Sequence, residues 1–156
     1  MQNCSPTQTS LQLSNKTKPY NDLLWHRFTT RVRYGETDKM GIVYHPNYLK
    51  YFELGRTELM RARGLPYSEL ERRGLNLVVV EANCKYKGSA IYDEEIIIST
   101  AVSEATKVKI LFDYILNSAS DNRLLAEGYT VLACVNTDSK AIKLPEEVIS
   151  ILTKSM

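Results

Sequence analysis

The chain has 156 residues, 44% apolar and 24% charged, a balance that suits one domain with its own core rather than two small ones. Its 20 basic and 18 acidic side chains are interspersed and leave a net charge of +2, which excludes the long basic field that gathers nucleic acid or anionic lipid. No apolar run approaches the roughly 20 residues needed to cross a bilayer, and the N-terminus lacks the pattern of a secretory signal.

Residues 1–24 are rich in Ser, Thr, Gln and Asn, carry no acid before Asp22 and show no apolar period, so they read as a flexible tail ahead of a single domain over 25–156. From Arg27 to Tyr34 polar and apolar residues alternate, with Phe28, Thr30, Val32 and Tyr34 on one face, predicting a half-buried first strand. A polar turn follows, with Glu36 and Asp38 either side of Thr37, then Gly41 and the junction His45-Pro46. Pro46 suits the first position of a helix, where a missing N–H costs nothing, and that helix is expected to run to about Arg63 and stop at Gly64. Tyr48, Phe52, Gly55, Leu59 and Ala62 fall on one continuous face of it, flanked by Leu49, Tyr51, Leu54 and Met60. Gly55 in mid-helix is unfavourable by about 1 kcal/mol relative to Ala, and the close approach of a strand would justify it.

A short amphipathic piece, residues 66–73, ends at Gly74. Four strand-like runs follow, at about 77–87, 94–103, 107–117 and 124–136, with Gly128 expected at a bulge. Residues 145–152 read as a small helix opened by proline and two glutamates. The short connections imply antiparallel neighbours, so the chain is α+β: one long helix covered by a curved antiparallel sheet. Lys85, Lys87, Lys107, Lys109 and Asp113 are expected on the opposite, wet face. Cys4, Cys84 and Cys134 are widely spaced and form no metal-ligand pattern. With only His26 and His45 besides, they fit a reducing, cytoplasmic setting and leave few ways to build a zinc site or a His-dependent hydrolase. A GxSxG elbow, an HExxH pair, a P-loop and a GxGxxG turn are absent from the sequence.

The stretch Tyr34 to Tyr48, YGETDKMGIVYHPNY, with the aromatic helix after it, resembles the signature of the hotdog-fold acyl-CoA thioesterases. Within them it is similar to the 4-hydroxybenzoyl-CoA thioesterase group and its YbgC-like relatives, and the likeness extends from Arg27 to about Leu152. It includes the ARGLPY segment from Ala62 to Tyr67 and the AEG stretch from Ala126 to Gly128. The resemblance implies a five- or six-stranded sheet curled around a central helix, a homodimer or homotetramer with sites at the subunit interface, an acyl-CoA substrate, and no metal or cofactor. By position it makes Asp38 the catalytic carboxylate and His45 the residue whose backbone N–H polarises the thioester carbonyl.

The physical chemistry of the same residues agrees with that assignment. Thioester hydrolysis needs an activated oxygen nucleophile and a group that stabilises the oxyanion. Asp38 can attack directly or act as general base, and the helix start offers unsatisfied N–H groups with a partial positive charge. The alternative for Asp38 is a turn cap, and Glu36 is expected in a supporting role. Asn47 and Tyr48 are candidates to line the acyl pocket, although Tyr48 also belongs to the core stripe. Lys85, Lys87, Lys107 and Lys109 are candidates to meet the CoA phosphates, against the plainer role of a solvated face. Two other readings remain: a thioesterase acting on acyl carrier protein or on a dihydroxynaphthoyl-CoA, and a non-catalytic acyl-CoA-binding protein of the same fold.

Overall fold

The computed structural model describes residues 22–154. The expected tail therefore lies outside the described residues except for its last three, of which Leu23 is buried. In chain order the elements are β1 (His26–Arg31), a 3-10 turn (Tyr34–Glu36), α1 (Asn47–Ala62), α2 (Tyr67–Arg72), β2 (Asn76–Tyr86), β3 (Glu95–Ala105), β4 (Lys109–Ser118), β5 (Leu124–Val135) and α3 (Glu146–Thr153). The five strands form one antiparallel sheet in the order β1-β3-β4-β5-β2. The first two strands made thus become its two edges. Short turns predict the β3-β4-β5 neighbours correctly, but β2 and β3 do not pair: the chain between them crosses to the far edge, held on the way by the bridge between Ile42 and Ile91.

α1 lies on the sheet and buries Asn47, Tyr48, Tyr51, Phe52, Gly55, Leu59 and Met60. The Phe52 ring stacks on Tyr114 of β4 at 4.2 Å between centroids, and the Tyr114 hydroxyl shares a 2.7 Å hydrogen bond with Thr130 of β5. Two glycines permit this approach. A Cβ on Gly55 would stand 2.6 Å from Ile98 Cγ2 and overlap Thr100 Oγ1, which is the close strand contact expected of it. A Cβ on Gly128 would meet Phe52 at 2.9 Å and overlap the Asn83 carbonyl. Gly128 is therefore no bulge: it pairs regularly with Cys84 and Tyr114, and the register shifts fall instead at Val79/Glu81, Val102/Glu104 and Leu116/Asn117.

Three further expectations are corrected. β1 ends at Arg31 rather than Tyr34, because Arg33 donates its N–H to Glu36 Oε2 at 2.9 Å and the chain leaves the sheet in a tight turn that exposes Tyr34. Ala62 is exposed despite its place on the stripe. The helix is reversed there by hydrogen bonds from Leu65 N–H to the Met60 carbonyl and from Gly64 N–H to the Arg61 carbonyl, both 3.0 Å, so it is Leu65 and Met60 that are buried. Asp113, expected on the wet face, is only 3% exposed; it stands in register between Ala101 and Tyr129 at the middle of that face. Lys85 and Lys109 are exposed there as anticipated. No helix among the described residues is long and apolar enough to cross a membrane.

Candidate active site

The loop between Arg33 and Pro46 is closed on itself before it enters α1. Thr37 and Val43 form a bridge, Asp38 N–H reaches the Ile42 carbonyl at 2.8 Å, Gly41 N–H the Asp38 carbonyl at 2.9 Å, and Tyr44 N–H the Glu36 carbonyl at 2.9 Å. One ladder therefore carries Asp38 on one arm and leads from the other into His45 and the helix. Two helix side chains pin it. Asn47 Nδ2 donates to the Glu36 carbonyl at 2.8 Å, and the Tyr51 hydroxyl donates to Glu36 Oε2 at 2.7 Å. Burial, reinforced by the Glu36 carboxylate, pushes the Tyr51 phenol far up, so it stays a donor. Glu36 thus has the supporting role expected of it: it receives both the Arg33 N–H and the Tyr51 hydroxyl.

Asp38 Oδ1 accepts a 2.8 Å hydrogen bond from Met40 N–H, an Asx-type turn that fixes the carboxylate, while Oδ2 has no partner among the described residues. The turn-cap role weighed for Asp38 is therefore present in the structure, carried by one oxygen and leaving the other open. His45 lies at the helix entry with its side chain exposed. Its carbonyl accepts the first helical bond, from Tyr48 N–H at 3.2 Å, and its own N–H donates to nothing among the described residues. A free backbone N–H at a helix start is what an oxyanion requires. The Tyr86 hydroxyl, from the end of β2, also donates to the His45 carbonyl at 3.2 Å. The rings of Tyr44 and Tyr86 stand edge-on to the imidazole at 5.0 and 6.0 Å.

The remaining candidates are placed otherwise. Asn47 and Tyr48 are buried; within one chain Asn47 buttresses the loop through the Glu36 carbonyl, and the Tyr48 hydroxyl, 3.4 Å from the Gly88 carbonyl, ties α1 to the segment after β2. Burial raises the Tyr48 phenol as well. Lys107 and Lys109 lie where β3 turns into β4, whereas the Asp38 loop touches the chain entering the other end of β3. Eleven residues of β3 separate those ends, a span of roughly 36 Å in an extended strand. Each lysine is also engaged, Lys107 with Glu146 at 2.7 Å and Lys109 with Glu104 at 3.3 Å. One chain therefore does not bring them to Asp38. Tyr86, at the end of the strand-like run over 77–87, was not among the candidates read from the sequence. Among the described residues no three His, Cys, Asp or Glu side chains gather as metal ligands.

Residues 32–152 match the family model described as the thioesterase-like superfamily. The Bacillus subtilis protein YneP is 38% identical over 109 residues, which are 69% of this chain and 78% of that protein. The acyl-CoA thioesterase YbgC of Haemophilus influenzae is 34% identical over 123 residues, 78% of this chain and 89% of that one. The crystal structure of the DHNA-CoA thioesterase from Staphylococcus aureus superimposes with a TM-score of 0.74 at 31% identity, covering 77% of this chain and 80% of that one.

Proposed function

The chain belongs to the thioesterase-like superfamily and is a thioester hydrolase, and from that premise we propose that it cleaves an acyl-CoA to the free carboxylic acid and CoA at the turn that joins Asp38 to the start of α1. The observation that carries the proposal is the pairing, on one hydrogen-bonded loop, of a carboxylate with an open oxygen and a helix-entry N–H without an acceptor. The His45 N–H receives the carbonyl oxygen as it gains charge, and Tyr86, by holding the His45 carbonyl, keeps that segment oriented. Asp38 Oδ2 supplies the oxygen chemistry by one of two balanced routes. As general base it takes a proton from water while the water oxygen attacks the thioester carbon, and CoA leaves as thiolate to be protonated. As nucleophile it forms an acyl anhydride, which water then hydrolyses to the acid and the restored carboxylate. Label found in Asp38 after single turnover in 18O-labelled water would demonstrate the anhydride route, with water attacking the Asp38 side of the anhydride and the original Asp38 oxygen leaving in the acid.

We propose further that the working unit contains two chains joined along β2. That strand is a sheet edge with Val78, Val79 and Val80 exposed, Val80 at 61%, and a bare apolar edge of this kind asks for a partner. Sedimentation that finds a monomer at assay concentration would overturn it. Cys84 and Cys134 carry free thiols, which suits a reducing, cytoplasmic setting. Turnover by purified protein on a panel of aliphatic and aromatic acyl-CoAs, with matched carrier-protein thioesters, tests the central reading. Release of acid from CoA thioesters is expected, faster carrier-protein turnover would redirect the substrate, and tight binding without turnover on every substrate would refute hydrolysis.

A further inference from the structure

The C-terminal end of α1 carries a charge that has no counter-ion among the described residues. Arg63 caps the helix, and its Nε and Nη1 are sealed from solvent with no hydrogen-bond partner, leaving Nη2 as its open edge. Arg63 is one of the residues lining a pocket of about 220 Å³, partly open to solvent, between the chain entering β1, the end of β3 and the end of α3. Leu24, Val102, Ala105 and Leu152 give that cavity apolar walls.

The neighbouring charges do not answer Arg63. Glu104, in the same lining, is held by Lys109 Nζ at 3.3 Å. Glu58 is paired with Arg61, and Asp22 is exposed at the rim. His26, close enough to feel both Glu58 and Arg63, is held below its usual range first by burial, so it adds no positive charge at neutral pH. Its Nδ1 is likewise sealed and unpartnered. A half-buried cation with no partner destabilises the fold, and an anion entering beside it removes that penalty.

We propose that this cavity is a second ligand site, remote from the Asp38 turn, for a small organic acid: a carboxylate that faces Arg63, on a short aliphatic or aromatic body that fills the apolar walls. The volume falls below the ~300 Å³ of typical drug-sized pockets, which limits the body to a few carbons or a single ring. The site stands at the opposite end of the 16-residue α1 from the Asp38 loop, about 24 Å along the helix axis. Its ligand class is that of the acid a thioester hydrolase releases, yet the argument rests on charge and shape alone and survives if the substrate reading fails.

Trp25, the sole tryptophan of the chain, follows Leu24 of the pocket lining in sequence and serves as the fluorescence probe, with the shift in Tm as a second readout. Benzoate and hexanoate titrated into the full chain should give a saturable change. That change is expected to weaken at least tenfold in Arg63→Met, to persist in Asp38→Asn, and to be absent with inorganic phosphate. Arg63→Met should also raise Tm modestly without ligand, because an apolar side chain replaces a half-buried charge that has no partner among the described residues, and should abolish the Tm increment that the acids give the parent protein. No saturable signal, an equal response in Arg63→Met, or an equal response to phosphate would overturn the proposal. Loss of the response in Asp38→Asn would also overturn it, by placing the acid at the catalytic turn.

Discussion

Replacing Asp38 by Asn changes one atom of the proposed site and leaves its scaffold standing. In the parent protein Oδ1 holds the Met40 N–H at 2.8 Å and Oδ2 is open. Asparagine keeps the carbonyl oxygen for that bond and turns the open oxygen into an amide nitrogen, which can neither attack a thioester nor accept a proton. General acid–base groups of this kind contribute about 10²- to 10⁴-fold in rate, equivalent to ~3 to 5 kcal/mol of barrier. Release of CoA thiol at saturating acyl-CoA should therefore fall by about that factor. Because the turn keeps its hydrogen bond, the urea midpoint should move by less than about 0.5 kcal/mol. Asp38→Ala is the companion: it loses the charge and the Met40 bond together and should add ~1 kcal/mol of destabilisation to the same loss of turnover. An Asn variant that works within a few-fold of the parent would refute the reasoning, since Asp38 would then only close the turn.

Other expectations follow from the same contacts. Gly55→Ala gains about 1 kcal/mol of helix propensity but drives its methyl into Thr100 and Ile98, for which overpacking costs of ~1 to 3 kcal/mol are usual; urea denaturation should show net destabilisation, and a more stable variant would contradict the packing described. Tyr86→Phe removes the hydroxyl bonded to the His45 carbonyl, worth ~1 kcal/mol, and should lower kcat about fivefold at nearly constant KM. A rise in KM alone would mean that Tyr86 binds the ground state instead. Folded His26 sits below its unfolded value of 6.5, so as pH falls the unfolded chain takes up the proton first. Its contribution is fully present above about 6.5 and is lost progressively below it, and His26→Gln should flatten the dependence of the urea midpoint on pH between about 7 and 5. Identical slopes in both proteins would dismiss the linkage.

The sequence showed the helix and strands because their signals are local: a four-residue apolar period from Tyr48 to Leu59, alternation along 107–117, proline at two helix starts. It offered Asp38 and His45 as candidates only through the resemblance of the stretch Tyr34 to Tyr48 to a known family signature. What stayed hidden is whatever depends on residues far apart in the chain. A lone glycine in a strand suits a bulge or a close approach equally well, and only Phe52 descending onto Gly128 decides between them. The place of β2 at the sheet edge depends on its competition with β4 for β5, which connection length does not report. Tyr86 reaches His45 across 41 positions, and no periodicity joins a strand end to a helix entry. Asp113 alternates like a surface residue, yet it occupies the centre of a face whose rim, rather than its middle, is wet.

The strand order has a consequence for how the chain is made. β1 and β2 leave the ribosome first, yet both wait at the margins of a sheet whose middle, β3-β4-β5, has yet to be synthesised. Leu77 finds its partner only when Cys134 emerges. Until β3 emerges α1 has little but β1 to lie on, and until β5 emerges Val78 to Val80 remain an unpaired apolar segment of strong β propensity. Glu81, Lys85 and Lys87 follow those valines closely and act as gatekeepers against premature self-association. Commitment to the native state therefore comes late and at once, and a truncation anywhere before the end of β5 should hand the nascent chain to chaperones rather than leave a smaller folded domain.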